Sequence, residues 1–478
     1  MMRSLIALAV IFAALFALEN ARSGVMMTRF SIGDTPVTAY EHPGADGPIV
    51  VMAHGFAGSS QMMQGYALPL ARAGYRVFAF DFLGHGRHPV PMSGDVTSVD
   101  GTTRLLVEQV SEVVDAVSNG ETIALLGHSM ATDVLVRLDQ ARDDIGPVVL
   151  LSAFSREIDA MAPDDLLLVV GAWEPGLRAF ALDAARMVDP TAEPGETVTN
   201  GTAIRRASVA PHTEHVSILH SQTGRQEAVA WMDRAFGRSS AVGTWPTGPA
   251  IAGLVGGLVV LLAGLARRLP LRETPALPLT RRQMLAVTLA PALVSPPVAL
   301  ALDPGFMPVL VADYLALHLA IYGGLQLALL VYWRMPLGSF APAAFTLLLA
   351  GAGLIGIALD RYAANFWPTE GRVSIIAITG VGAVVFFVAD ACLAHRATIV
   401  RRLAVHGAFL GSLVLAVALD FEELFFLLMI APIIVLFYLV FGTMGHAASS
   451  RMGPLAAGIA LGLVLAWALG VSFPLFEA

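Results

Sequence analysis

Leu125-Leu126-Gly127-His128-Ser129-Met130-Ala131 is the stretch on which the reading of this 478-residue chain turns. Ile123 to Leu126 is a short apolar run that reads as a buried strand, and Ala131 to Gln140 reads as a helix. Between them a serine sits at the apex of a turn. A strand that reverses directly into a helix leaves little room around the apex, so small residues are needed two positions to either side. Gly127 and Ala131 supply them. The alanine departs from the Gly-x-Ser-x-Gly pattern that such turns usually carry, and so short a match recurs by chance. The neighbouring segments decide.

Upstream, Ile49-Val50-Val51-Met52-Ala53 reads as a buried strand and runs into His54-Gly55-Phe56. Tyr75-Arg76-Val77-Phe78-Ala79-Phe80-Asp81 reads as a second strand, leading into Gly84-His85-Gly86-Arg87. Three strand-loop signatures in this order are far more specific than any one of them, and over residues 28 to 237 they resemble the α/β-hydrolase superfamily. The resemblance implies a mostly parallel sheet with flanking helices and a serine hydrolase. Ser129 is then the nucleophile, followed in chain order by an acid and a histidine. The acid slot, just past Leu166 to Gly171, holds Glu174, with Asp159 and Asp164 as alternatives. His215, standing before the apolar turn Val216-Ser217-Ile218-Leu219, is the expected base, with His212 and His220 as competitors. The backbone N–H groups of Phe56 and Met130 are the expected oxyanion donors. His54, His85 and His128 are expected to pin loops.

The resemblance implies no cofactor. The histidines lack metal-ligand spacing, and no Lys-Ser/Thr follows the glycines near Gly84 to make a phosphate loop. Only Ser152 to Asp165 connects two of the expected strands, too short for a helical cap. A shallow, open pocket follows, walled by Phe56, Ala57, Gln61, Met62, Met63, Met130 and Trp173, with Met62 and Trp173 as the chief substrate contacts. The expected substrate is a small-molecule or lipid-like ester, thioester or amide with an acyl or otherwise apolar group.

Composition divides the chain. It is 56% hydrophobic with a mean hydropathy of +0.69, too apolar for an ordinary soluble protein. The net charge of −8 argues against a nucleic-acid partner, and the single cysteine, Cys392, excludes an intrachain disulfide. The reading is a segment 1–22 acting as a signal peptide or retained anchor, a hydrolase domain 28–237, a linker 238–247 and an all-α polytopic membrane domain 248–478. Eight spans of about 20 apolar residues lie near 248–266, 284–302, 307–332, 340–359, 373–394, 403–419, 424–443 and 454–473. Pro291, Pro296 and Pro297 are expected to kink the second or make it re-entrant. Gly253/Gly257 and Gly458/Gly462 suit close helix packing. The N-terminal run Leu5 to Leu18, behind Arg3, has the length of a signal core or a short anchor.

If Leu5–Leu18 crosses outward, the inner loops hold Arg267, Arg268, Arg272, Arg281, Arg282, Arg334, Arg396, Arg401, Arg402 and Arg451. The outer loops hold only Arg361 and Arg372, beside Asp303, Asp360, Glu370, Asp420, Glu422 and Glu423. That bias puts the hydrolase domain on the extracytoplasmic side of a bacterial plasma membrane. Asp313, His318 and Asp390 are the ionisable residues away from span ends, so transport or sensing coupled to the hydrolase stands as an alternative to simple anchoring. A non-catalytic binding module on the same scaffold is the third reading. The oligomeric state is left open.

Overall fold

The computed structural model describes residues 2–95, 99–272, 274–302, 305, 307 and 309–477. A nine-stranded sheet forms the first half. Its strands are β1 (Met26–Ile32), β2 (Thr35–Glu41), β3 (Ile49–Ala53), β4 (Arg76–Phe80), β5 (Ile123–His128), β6 (Ile145–Leu151), β7 (Asp165–Gly171), β8 (Thr197–Asn200) and β9 (Ala203–Ala210). The spatial order is β1-β2-β4-β3-β5-β6-β7-β9-β8. The run from β4 through β9 is parallel, and the outer strands β1, β2 and β8 pair antiparallel. Every residue of β3 and β5 is buried, as continuous apolar strands covered on both faces must be. Alternation then sends Val51, Ala53, Leu125 and Leu150 to one face and Val50, Met52, Leu126 and Leu151 to the other.

The first face is packed by α3 (Arg104–Ser118), α4 (Met130–Ala141) and α5 (Pro175–Arg186), the second by α2 (Gln64–Arg72) and α6 (Gln222–Ala235). This is the mostly parallel α/β arrangement that the resemblance implied. The β1–β2 hairpin and β8 were not anticipated, since exposed antiparallel edges carry no continuous apolar run.

The second half is helical: α7 (Thr247–Ala266), α8 (Arg281–Leu302), α9 (Ala312–Tyr332), α10 (Pro342–Tyr362), α11 (Glu370–Ala394), α12 (Ile399–Leu419), α13 (Phe421–Leu424), α14 (Leu427–Phe437), α15 (Thr443–Met452) and α16 (Pro454–Ser472). A turn at Tyr438–Gly442 joins α14 and α15 into one span. With α1 (Met2–Arg22), nine helical spans among the described residues are long and apolar enough to cross a membrane. α1 is longer than the fourteen-residue run expected, and it buries Ala7, Ile11, Ala14 and Leu18 as one stripe. Gly458 and Gly462 let α16 approach α11, where an added Cβ would meet the Phe387 carbonyl at 2.6 Å and Val384 Cα at 2.5 Å.

α8 runs as one helix through Pro291, Pro296 and Pro297. Pro291 cannot donate to the Val287 carbonyl, and the Gln326 side chain takes that acceptor instead at 3.2 Å. His318 is buried, its Nε2 2.9 Å from Ser412 Oγ and its Nδ1 3.2 Å from Tyr314 OH. Asp303, counted among the outer-loop acids, lies outside the described residues.

The two halves touch along one end of the helical bundle. Arg87 reaches Asp360 at 2.7 and 2.8 Å and Asn365 at 3.1 Å. Arg372, fully buried, donates to the Gly84 carbonyl at 2.8 Å. The tail pairs with the loop after β4, Leu475 N–H donating to Gly84 O and Met92 N–H to Leu475 O. Within residues 238–247, the expected linker, Arg238 and Ser240 bond the Ala73 carbonyl, and Trp245 meets Phe16 edge-on at 6.5 Å.

Candidate active site

β3, β4, β5, β6, β7 and β9 all end on one edge of the sheet, and the loops leaving that edge carry the candidate residues. At the tip of β5, Ser129 has φ 54° and ψ −119°, a positive φ that a non-glycine residue adopts only under constraint. Its N–H donates to Leu151 O at 3.0 Å, and Thr132 N–H and Oγ close the turn onto its carbonyl. Gly127 leaves room beneath, where an added Cβ would lie 2.6 Å from Leu135 Cδ1 and push that side chain aside. Ala131 is tolerated at the other flank, its Cβ completely buried beside Gly127.

Ser129 Oγ lies 2.7 Å from His215 Nε2, and His215 Nδ1 lies 2.7 Å from Glu174 Oε1. Since a carboxylate only accepts, Nδ1 carries the proton and the Nε2 lone pair faces the serine hydroxyl. Glu174 is nearly buried at the head of α5. Its other oxygen, Oε2, accepts from Ser152 Oγ at 2.7 Å and from Gly171 N–H at 2.7 Å. Burial pushes the carboxyl up, but the bonds from His215, Ser152 and Gly171 outweigh it and hold it below its ordinary value. The His215 side chain keeps 44% exposure, so the relay is reachable from outside.

Neighbouring groups fix the histidine loop. His128 Nε2 donates to the His215 carbonyl at 2.7 Å, and burial lowers the pKa of His128 to about 4, leaving it neutral. Glu214 folds back to accept from Val216 N–H at 2.9 Å and Ser217 N–H at 2.7 Å. His54 accepts from Phe82 N–H at Nε2 and meets the Gly55 carbonyl at 2.7 Å through Nδ1, which defines a neutral Nδ1–H tautomer. That pins the turn carrying Phe56. The turn lies so close to the serine that a Cβ on Gly55 would come within 2.9 Å of Ser129 Cβ. Neither the Phe56 nor the Met130 N–H has a hydrogen-bond acceptor among the described residues.

The remaining sequence candidates fall elsewhere. His212 is exposed, and His220 bonds Thr247 Oγ1 instead. Asp159 caps its own loop by accepting from Met161 and Ala162 N–H. Gln61 and Met63 are buried, and Met62 packs on the second sheet face with Met63 and Tyr66, so these three do not form an open wall beside Phe56 and Met130 on the first face. Trp173 is 64% exposed in the Glu174 loop, its N–H bonded to Thr213 O at 3.0 Å.

The Ser152–Asp164 connection contains no helix. The site is nonetheless not bare: Phe426, in the loop between α13 and α14, packs its ring 5.4 Å from that of Phe56. Ser152 and Phe426 are the two residues that sequence reasoning missed. A serine after a strand has no distinguishing pattern, and Phe426 lies about 370 residues from the turn it covers. Among the described residues no group of three or more His, Cys, Asp or Glu is disposed to hold a metal ion.

Residues 48–181 match the family model described as alpha/beta hydrolase fold. Over 118 residues the chain is 30% identical to a protein named "Putative carbamate hydrolase RutD" from Variovorax paradoxus, covering 24% of this chain and 41% of that one. The chain thus spans about two fifths of that relative's length. Among solved structures, a predicted CIB-like hydrolase of Thermoplasma acidophilum is 16% identical, covering 44% of this chain and 98% of that one with a TM-score of 0.35. A dienelactone hydrolase of Anabaena variabilis is 18% identical, covering 44% and 98% with a TM-score of 0.33.

Proposed function

We propose that this chain, whose residues 48–181 belong to the α/β-hydrolase superfamily, is a membrane-tethered serine hydrolase acting on an ester, thioester or amide of an acyl-containing or apolar substrate. The observation that carries this reading is the unbroken relay Glu174–His215–Ser129, with 2.7 Å at each step. His215 Nε2 takes the Ser129 proton as Oγ attacks the carbonyl carbon, and the Phe56 and Met130 N–H groups receive the oxyanion. The imidazolium, steadied by the Glu174 carboxylate, hands its proton to the leaving group, which departs and leaves an acyl-serine. Water repeats the sequence from the other side: Nε2 takes its proton, the hydroxide portion attacks, and Ser129 regains the proton as the acid leaves.

The membrane half of the reading rests on the nine apolar spans and on what they turn outward. Leu285, Leu293, Val381, Leu403 and Leu439 are each at least 59% exposed on the bundle, which is favourable in lipid and costly in water. The arginine-rich loops lie at the bundle end remote from the sheet, so the sheet faces the extracytoplasmic side. The two arginines at the near end are otherwise engaged, Arg361 with Glu19 at 2.8 Å and Arg372 with backbone carbonyls. α1 belongs to the bundle and stays as an anchor. Phe426 and its neighbours Phe421 and Phe425 furnish the cap that the hydrolase domain lacks, so the substrate is received between the domain and the outer membrane face.

A fluorophosphonate probe tests the chemistry on the full chain in membranes. Ser129→Ala abolishes labelling and cuts hydrolysis of p-nitrophenyl esters by about 10⁴- to 10⁶-fold with unchanged insertion. His215→Ala loses nearly as much and Glu174→Gln less, whereas His212→Ala is silent. Labelling retained in Ser129→Ala overturns the assignment.

A further inference from the structure

A cavity of about 440 Å³ opens on the flank of the helical bundle between α12, the Tyr438–Gly442 turn and α15. It belongs to the end remote from the hydrolase site. α11 starts beside the sheet at Arg372, and Asp390, on the cavity wall, is eighteen residues further on, roughly 27 Å along a helix. Seven polar side chains line it, the chargeable or aromatic ones being Asp390, Arg402, His406, Tyr438 and His446, with Thr443 and Ser449 beside them.

We propose that this cavity holds a membrane phospholipid, its phosphate on Arg402 and an acyl chain along Leu403 and Leu439. The proposal rests on the membrane reading above. Asp390 and His406 face each other at 3.2 Å without an aligned hydrogen bond, so the carboxylate is engaged by the imidazole and not by Arg402. His406 stacks on Tyr438 at 4.0 Å, which fixes the pair in the wall. Arg402 is left over: its guanidinium has no carboxylate or hydrogen-bond partner among the described residues, and its Nε is buried.

Arg402 also sits, with Arg401, in the first turn of α12, where the positive end of the helix dipole disfavours a cation. An anion in the cavity relieves both. Thr398 already takes the Arg401 and Arg402 N–H groups through its hydroxyl and carbonyl, so the Arg402 guanidinium is the donor in the cavity, and its planar fork favours phosphate. The cavity mouth says which source of phosphate. Leu403 and Leu439 line it and are 64% and 65% exposed on the bundle flank, so the opening faces the hydrocarbon sideways. The arginine-rich end meets the leaflet that carries anionic lipid. The volume falls within the range of ordinary ligand sites.

The test uses the purified full chain in nanodiscs containing phosphatidylglycerol, then mild detergent and native mass spectrometry, with inorganic phosphate as a second probe. Wild type keeps a bound phospholipid. Arg402→Ala weakens retention about ten- to a hundredfold, the loss expected for one hydrogen bond to a charged group. Gly407→Trp removes retention by filling the space, since Gly407 lines the cavity and an added Cβ meets nothing within 4 Å. Both variants keep fluorophosphonate labelling of Ser129, which reports the fold; if Arg402→Ala fails to fold, Gly407→Trp decides. Equal retention in the variants overturns the proposal, as does binding of inorganic phosphate with no phospholipid retained. Carbonate washing separates the two failures: release from membranes sinks the membrane reading, whereas a chain that stays embedded but holds lipid indifferently sinks this site alone.

Discussion

Ser152 is the side chain at the site whose contribution can be measured most cleanly. It touches neither the serine nor the histidine, yet it supplies one of the three hydrogen bonds that keep Glu174 ionised. In Ser152→Ala the Oε2 oxygen keeps only the Gly171 N–H. A bond to a charged group is worth roughly 1.5–3 kcal/mol, and part of that reaches the transition state through the imidazolium, so kcat falls about three- to thirtyfold with KM little changed. An unaltered kcat in steady-state assays sinks this positioning role. The sign of the linkage is also fixed. Because folding holds the Glu174 carboxyl below its ordinary value, the stability it contributes is present above the unfolded carboxylate's pKa and is lost as pH falls through the folded one. Ser152→Ala narrows that acid window.

At the scale of single elements, α4 serves the site by fixing the Ser129 turn, and it carries a carboxylate that works against stability. Burial, then the nearby charge of Asp164, pushes the Asp139 pKa up to about 7. Its proton is lost near pH 4 in the unfolded chain and only near pH 7 in the folded one, so its contribution to stability declines as pH rises through that interval. Asp139→Asn therefore stabilises at pH 8 and gives nothing at pH 4. With allowance for solvent screening of this partly exposed group the gain is roughly 1–2 kcal/mol, or about 2–6 °C by thermal denaturation. Equal effects at both pH values contradict the assignment.

The elements also show why some of this fold was legible and some was not. Ile49–Ala53 and Ile123–His128 announce themselves because strands covered on both faces must be apolar throughout. Ser129 and His215 follow from loops at the ends of such strands. The continuity of α8 through its prolines is not legible locally, because Gln326, from another helix, takes the carbonyl that Pro291 leaves vacant. Met62 was misplaced because a helical turn at Ser60–Met63 rotates it to the opposite sheet face, which residue type does not signal.

For the whole molecule, the joint between halves matters most, because it sets what reaches Ser129. Phe426 rests on Phe56, so the bundle supplies part of the wall beside the proposed oxyanion donor. An aromatic pair contributes about 0.5–1.5 kcal/mol, so Phe426→Ala raises KM for long-chain p-nitrophenyl esters roughly two- to tenfold and leaves the acetate ester unaffected. An equal change for both esters contradicts a role in acyl binding. Orientation is the complementary question, and the single native cysteine makes it testable. Cys392 is 1% exposed and gives no background to a membrane-impermeant maleimide. Glu193→Cys places a thiol on the exposed surface of the sheet half, and Ala276→Cys places one in the loop between α7 and α8, at the far end of the bundle. On the proposed orientation, with the arginine-rich end cytoplasmic, the first labels at once in spheroplasts and the second only after permeabilisation. The reverse pattern would put the sheet in the cytoplasm. The aromatic loop of Phe421, Phe425 and Phe426 would then meet the inner leaflet, and the search for substrates would move to cytosolic acyl compounds.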